Sequence, residues 1–240
     1  MKHTRYSLRA LARLLSYPDQ QLRGELDALV DAIDTEGAVP VARRAELRTL
    51  ANNLQRQDPM EVEARYVETF DRGRATSLHL FEHVHGDSRD RGPAMIDLAQ
   101  TYEKAGLFLA PDELPDHLCV VLEFASTQPP QLARAFLGEM AHILNAIFSA
   151  LIKRESPYAA VVAAVLELAG AQQLRGVALP RVLVAVEADQ AAQQEHGQAD
   201  IGVVTEEEVV EVVHGHLLAS GHVQAVARSA LRDGRTMWMG

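Results

Sequence analysis

Apolar positions recur every three to four residues from the start of this chain, and they predict a series of amphipathic helices. Over residues 4–16, Leu8, Leu11, Leu14 and Leu15 share one helical face, with Arg5, Arg9 and Arg13 on the other. Tyr17-Pro18-Asp19 ends this helix, since proline disfavours helix at the residue before it and aspartate can cap the next helix. That second helix, over residues 20–34, buries Leu22, Leu26, Leu29, Val30 and Ile33. Gly37 and Pro40 mark the turn into a third, which runs to about Gln57. Asp58-Pro59-Met60-Glu61 combines a capping aspartate, a proline at the first helical position and a capping-box acid. It opens a fourth helix, which carries Val62, Tyr66, Val67 and Phe70 on one face.

Further on, Pro93 opens a helix bearing Met95, Ile96, Leu98, Ala99 and Tyr102, which stops near Gly106. The stretch 110–117, with Pro111 and Pro115, reads as a punctuated hinge. Helices over residues 116–126 and 131–153 flank Pro129-Pro130, and Pro157 opens a last core helix over residues 158–174. The best strand candidate, residues 181–186, is short and isolated, so no sheet is predicted. Residues 190–200 read as a polar linker and residues 205–213 as a helix with an acidic start. The expected organisation is all-α: a single helical bundle over residues 1–180, then residues 181–240 as a linker and a loosely packed, partly disordered tail.

Composition narrows the function. The 240 residues hold 48% hydrophobic but only 5% aromatic side chains, which suits an aliphatic helical core. A net charge of −10 repels nucleic acid phosphates and anionic membranes, and favours a basic or neutral partner. The single cysteine, Cys119, leaves no intramolecular disulfide and no Cys-clustered metal site. It lies in the apolar run LCVVLEF and reads as a buried small hydrophobe. No apolar stretch approaches the ~20 residues needed to span a bilayer, and the N-terminus lacks an uninterrupted apolar signal core. The expectation is a cytoplasmic protein that is not integral to a membrane and binds no nucleic acid.

The chemistry-bearing residues concentrate between Tyr66 and Met95. Three histidines, His79, His83 and His85, precede a charged loop running from Gly86 to Gly92. Polar residues this dense between helical flanks suggest a site or a recognition surface. His79-Leu80-Phe81-Glu82-His83 matches the H-x-x-E-H pattern of inverted zinc proteases, in which two histidines one turn apart ligate zinc and the glutamate acts as base. A third ligand is missing from any matching motif, so a histidine cluster around a structured loop outweighs a zinc-dependent hydrolase, which stays as the alternative. His214, His216 and His222 form a second group, read as surface histidines. Ser77, Ser88 and Ser126 sit in no nucleophile elbow, and no phosphate-binding glycine motif is present. An enzyme is not indicated.

One family unites these residues. Tyr66-x-x-x-Phe70-Asp71, then Ser77-Leu78-x-Leu80-x-Glu82-His83-x-His85-Gly86-Asp87-Ser88-Arg89-x-Arg91-Gly92-x-Ala94-Met95, resembles the NarJ-type nitrate reductase molybdenum cofactor assembly chaperones. These are relatives of the DmsD and TorD redox-enzyme maturation proteins. Leu14-Leu15-x-Tyr17-Pro18-Asp19, Tyr102-x-x-x-Gly106-Leu107 and Leu114-Pro115-Asp116-His117-Leu118 add to the resemblance. Glu113, Asp116 and His117 fall at the spacing of the wider family's E-P-x-D-H hinge, with proline one place later, at Pro115.

The resemblance implies a helical bundle of the redox-enzyme maturation type. Its partner would be the apo catalytic (alpha) subunit of a respiratory nitrate reductase, bound through that subunit's N-terminal peptide. Holding this subunit open would permit insertion of its molybdopterin guanine dinucleotide cofactor, with no cofactor bound stably by the chaperone. The expected peptide trough is lined by Tyr66 and Phe70, by Leu78 and Leu80, and by Met95 and Tyr102, for a partner able to form an amphipathic helix. Glu82, His83, His85, Asp87, Arg89 and Arg91, with Asp116 and His117, form its expected polar rim. Rim histidines titrate near neutral pH, so binding is expected to depend on pH.

Overall fold

The computed structural model describes residues 3–86 and 88–170, which form ten α-helices with no strand among the described residues. They are α1 (Arg5–Leu14), α2 (Gln20–Glu36), α3 (Val41–Arg56), α4 (Pro59–Phe70) and α5 (Leu80–Val84). Next come α6 (Arg91–Lys104), α7 (Leu118–Thr127), α8 (Pro130–Glu139), α9 (Ala141–Lys153) and α10 (Ala159–Ala169). The all-α expectation therefore holds, while the strand, linker and helix expected after residue 180 lie outside the described residues.

The caps explain most boundaries. Asp19 accepts the Leu22 N–H at 2.8 Å, and Asp58 accepts those of Met60 at 2.9 Å and Glu61 at 3.2 Å. Helix α2 ends at Gly37, whose φ of +62° is the left-handed conformation that glycine adopts without a Cβ penalty. It extends two residues past its expected end because Glu36 is needed. The Glu36 carboxylate accepts the Tyr6 N–H at 3.0 Å and the Ser7 N–H at 2.8 Å, satisfying donors at the start of α1 that Thr4 leaves open.

Helix α1 lies against α2 and α7, and α10 packs on α9, α8 and α3. Helices α7 and α10 are apolar almost all round, so each is enclosed rather than laid on the surface. Arg13, expected on the polar face of α1, is only 6% exposed and bonds Glu25 of α2 at 2.8 Å. A buried charge persists only when paired, and Glu25 supplies the pair. Tyr66 donates from its hydroxyl to the Leu15 carbonyl at 2.7 Å, tying α4 to the end of α1. Its ring meets Tyr17, Phe70 and Tyr158 within 4.9–5.9 Å.

Three expected boundaries are corrected. The single helix over residues 131–153 is two, α8 and α9, meeting at 67° around Met140. Gly138, weak in helix, stands two residues before the break, and the bend lets Leu137 and Ile143 both reach the core. The last core helix stops at Ala169, where Gly170 turns left-handed at φ +75°, and Leu174 lies outside the described residues. The helix expected over residues 116–126 begins at Leu118, which leaves Asp116 in the hinge, and that displacement builds the site.

Candidate functional site

Beyond α4 the chain makes a short 3₁₀ turn, Arg74–Thr76, then runs extended through Ser77 to His79 before α5 begins. This extended piece pairs with the hinge. Leu80 N–H donates to the Asp116 carbonyl at 3.0 Å and Leu118 N–H to the Leu78 carbonyl at 2.8 Å, around an antiparallel bridge between His79 and His117. Two stretches almost forty residues apart in sequence thereby share one site.

Asp116 is its centre. The residue is wholly buried, and its carboxylate accepts the Phe81 N–H at 3.1 Å and faces His79 Nδ1 at 3.4 Å. The Arg91 guanidinium stands 3.6 Å from it and also 3.6 Å from Glu82, so one arginine of α6 spans the hinge and α5. Glu82 is oriented by the Ser77 hydroxyl, which donates to it at 2.7 Å. His83 Nε2 lies 2.9 Å from the Ser77 carbonyl; a carbonyl only accepts, so that nitrogen carries the proton. His117 caps α7, accepting the Cys119 N–H on Nδ1 at 3.4 Å, and its ring meets that of His79 edge-on at 5.0 Å. Tyr102 donates to the Pro115 carbonyl at 2.8 Å and fastens α6 to the same hinge.

The electrostatics follow from this arrangement. Burial alone would push the Asp116 carboxyl up, but the hydrogen bonds from His79 and the Phe81 N–H, with the charges of His79 and Arg91, hold it below its ordinary value. The hydrogen bond to Asp116 raises His79, against the opposing pull of its partial burial. The pair is thus at its strongest with Asp116 ionised and His79 protonated. Burial pushes the Cys119 thiol up to about 12, so it carries no thiolate at neutral pH.

Among the expected site residues, Glu82, His83, Arg91, Asp116 and His117 come together here. His85 stands at the edge of this group, its ring edge-on to Phe81 at 5.6 Å. Tyr66, Phe70, Leu78, Leu80 and Tyr102 are not exposed along a trough: all five are buried in the core. Met95 is half-buried on α6 and Arg89 is exposed, while Asp87 lies outside the described residues. The H-x-x-E-H pattern lacks the geometry a zinc site requires. His79 precedes α5 in extended conformation, so it and His83 do not stand one turn apart on a helix, and each is directed to a different partner.

Sequence reasoning missed the apolar side chains that these same elements expose. Val84 of α5, Ile96 of α6, and Phe108 and Leu114 of the connection to α7 are each between 44% and 59% exposed. Ile96 stands two residues from buried Leu98 and so on another face of α6, a signal in the sequence, whereas Val84 lies one turn after buried Leu80 and carries no such signal.

This fold is that of redox-enzyme maturation proteins. A crystal structure described as a redox enzyme maturation protein from Archaeoglobus fulgidus superposes with a TM-score of 0.50 at 23% identity, covering 70% of this chain and 94% of that one. Residues 36–164 match the family model described as nitrate reductase delta subunit, and the chain belongs to that family. The Escherichia coli K12 protein named nitrate reductase molybdenum cofactor assembly chaperone NarJ is 44% identical over 159 residues, 66% of this chain and 67% of that protein. A second protein of that strain, named as the probable chaperone NarW, is 42% identical over 164 residues, 68% of each chain. The Bacillus subtilis relative, named as a probable NarJ, is 33% identical over 150 residues, 62% of this chain and 80% of its own. These relatives are named as assembly chaperones, not as catalysts.

Proposed function

We propose that this protein is the molybdenum cofactor assembly chaperone of a nitrate reductase. It binds the catalytic alpha subunit in its apo form, through that subunit's N-terminal peptide, and holds it receptive while the molybdopterin guanine dinucleotide cofactor is inserted. The observation that carries the reading is the 44% identity to the Escherichia coli chaperone over two thirds of both chains. Residues 36–164, which match the family model, include the stretch from Ser77 to Leu118 that builds the Asp116 site. The chain acts in the cytoplasm, is no enzyme, and keeps no cofactor of its own, the molybdenum cofactor being cargo for its partner. Among the described residues no single helix is long and apolar enough to cross a membrane.

The geometry suits a recognition role. Asp116, Arg91 and His79 hold α5, α6 and the hinge in one arrangement, and those elements present Val84, Ile96, Phe108 and Leu114 outward. Apolar anchors beside a polar rim are what an amphipathic helical peptide requires. The net charge of −10 adds long-range attraction for a basic peptide, which salt screens. Titration of the alpha subunit's N-terminal peptide into this protein, followed by calorimetry, tests the reading. Saturable binding that weakens as salt rises and drops on Ile96→Asp or Phe108→Asp is expected. No binding at low salt would overturn it.

A further inference from the structure

A cavity of about 200 Å³ opens between α3, α4 and the loop that joins α9 to α10. Leu50 and Leu54 of α3, Val62 of α4 and Pro157 of the loop give it apolar walls. None of its lining residues belongs to the Asp116 site or to the apolar side chains that α5 and α6 expose. Arg65 of α4 and Glu155 of the loop line it as well, one cation and one anion. Neither forms an ion pair with the other or with any other described residue; Arg65 Nη1 donates to Gln57 Oε1 at 2.8 Å. Exposed charges often stand unpaired, and alone these two would mean little.

Two buried hydroxyls on the same cavity add to them. Ser156 is 8% exposed and Tyr158 3%, and neither hydroxyl has a hydrogen-bond partner among the described residues. Buried polar groups are nearly always paired, so two orphans on one cavity wall call for a partner. Neither fills its usual structural role. Ser156 precedes α10, yet no side chain caps that helix. Tyr158 is held by its ring, which meets Tyr66 at 5.9 Å and Phe70 at 5.0 Å. Burial raises the pKa of its hydroxyl while the Arg65 charge pulls the other way, so the group stays protonated. Glu155 is also the one non-glycine residue at positive φ among those described, +52°, and backbone held in that region collects at ligand sites.

We infer that this cavity binds a free α-amino acid with an aliphatic side chain. A zwitterion answers a guanidinium and a carboxylate held apart: its carboxylate takes the Arg65 fork and its ammonium the Glu155 carboxylate. A hydroxyl both donates and accepts, so Ser156 and Tyr158 serve either charged end. Leu50, Leu54 and Val62 then enclose the side chain. A simple anion would leave Glu155 unanswered, and a simple cation Arg65. The volume is below the roughly 300–1,000 Å³ of sites for drug-sized ligands, which limits the occupant to about the size of leucine. The site is separate from the surface proposed for the peptide and does not rest on the chaperone reading.

The test uses the full chain, followed by calorimetry and amide chemical shifts at constant ionic strength. L-leucine should bind saturably below about 10 mM and move the amides of Val62, Ser156 and Tyr158. Isocaproate, which lacks the ammonium, and isoamylamine, which lacks the carboxylate, should each bind about tenfold more weakly. Leucinamide separates the sources: weaker binding than leucine supports a free amino acid, and equal binding means the N-terminal residue of a peptide and overturns it. Arg65→Gln and Glu155→Gln should each weaken leucine about tenfold, the loss expected for one charge-assisted hydrogen bond. Tyr158→Phe should weaken it several-fold with Tm unchanged, because the hydroxyl it removes supports nothing in the protein alone, and it reads the site even if a charge variant fails to fold. Alpha-subunit peptide binding should stay within about twofold in all three variants, so a failure here is distinct from failure of the chaperone reading. No saturation by about 10 mM, equal binding of either single-charge analogue, or unchanged affinity in all three variants would overturn the site.

Discussion

Replacing Asp116 by asparagine isolates the charge at the centre of the site. Asparagine keeps the volume and one acceptor oxygen, but removes the charge that His79 and Arg91 face and turns an amide N–H₂ toward one of its donors. Each hydrogen bond to a charged group contributes about 1.5–3 kcal/mol when fully desolvated. His79 and Arg91 are 32% and 28% exposed, so solvent already screens part of their share. The Phe81 N–H bond and the discounted pair together give a loss of about 2–3 kcal/mol. For a chain of this size that is a fall in Tm of roughly 4–12 °C.

The pH profile adds an independent check. His79 is raised in the folded protein, so its stabilisation is fully present below its unfolded pKa of about 6.5 and is lost as pH rises through the higher folded value. Asp116 is lowered, so its stabilisation is present above about 3.9 and is lost as pH falls through the lower folded value. Stability measured by urea denaturation from about pH 3 to 9 should therefore show a plateau between the two flanks. His79→Ala should flatten the alkaline flank, and Asp116→Asn should flatten both. A loss in Tm below about 1 °C, or an unchanged profile, would refute the argument that this carboxylate carries the site.

Three further outcomes follow from the same geometry. Leu80→Ala, at a wholly buried position, should cost about 2–5 kcal/mol in chemical denaturation, whereas Val84→Ala, four residues on and 52% exposed, should cost under about 0.5 kcal/mol yet weaken the alpha-subunit peptide in calorimetry. Tyr102→Phe leaves the Pro115 carbonyl without its donor and should cost about 1–2 kcal/mol, read also as faster amide exchange at Leu118, where the hinge meets α7. Arg89→Glu, on an exposed side chain, should leave Tm within about 1 °C while lowering nitrate reductase maturation in cells that depend on this protein. Equal loss of stability and maturation would make that loop structural.

Helix content was legible because its causes are local. The spacing of leucines in α1 and α2, Asp19 and Asp58 at the caps, and Gly37 and Gly106 at the stops each act within one turn of the chain. Where a boundary moved, a distant partner had intervened. Glu36 lengthened α2 to reach the N–H groups of α1, and Arg13 left the polar face to meet Glu25. The break at Met140 arose because both halves of an apolar helix needed the core. The motif stretch was legible as a place, though not in its roles, because burial of Tyr66, Phe70, Leu80 and Tyr102 and exposure of Ile96 and Phe108 depend on which elements cover them.

The sequence by itself determined an all-α chain, acidic, with one polar motif stretch that carried the resemblance to the nitrate reductase chaperones, and that family holds. Tertiary structure alone decided what the stretch is made of. Pairing of residues 77–79 with the hinge brings Asp116 under Phe81, His79 and Arg91, a contact between segments that no local pattern encodes. The same pairing begins α5 at Leu80 and so leaves His79 outside it, which turned a zinc-like spacing into a carboxylate-centred clasp. Caps and apolar periodicity act over a few residues and can be read directly. Burial of a charge and exposure of an apolar side chain are properties of the assembled surface, and they exist only once the helices have packed.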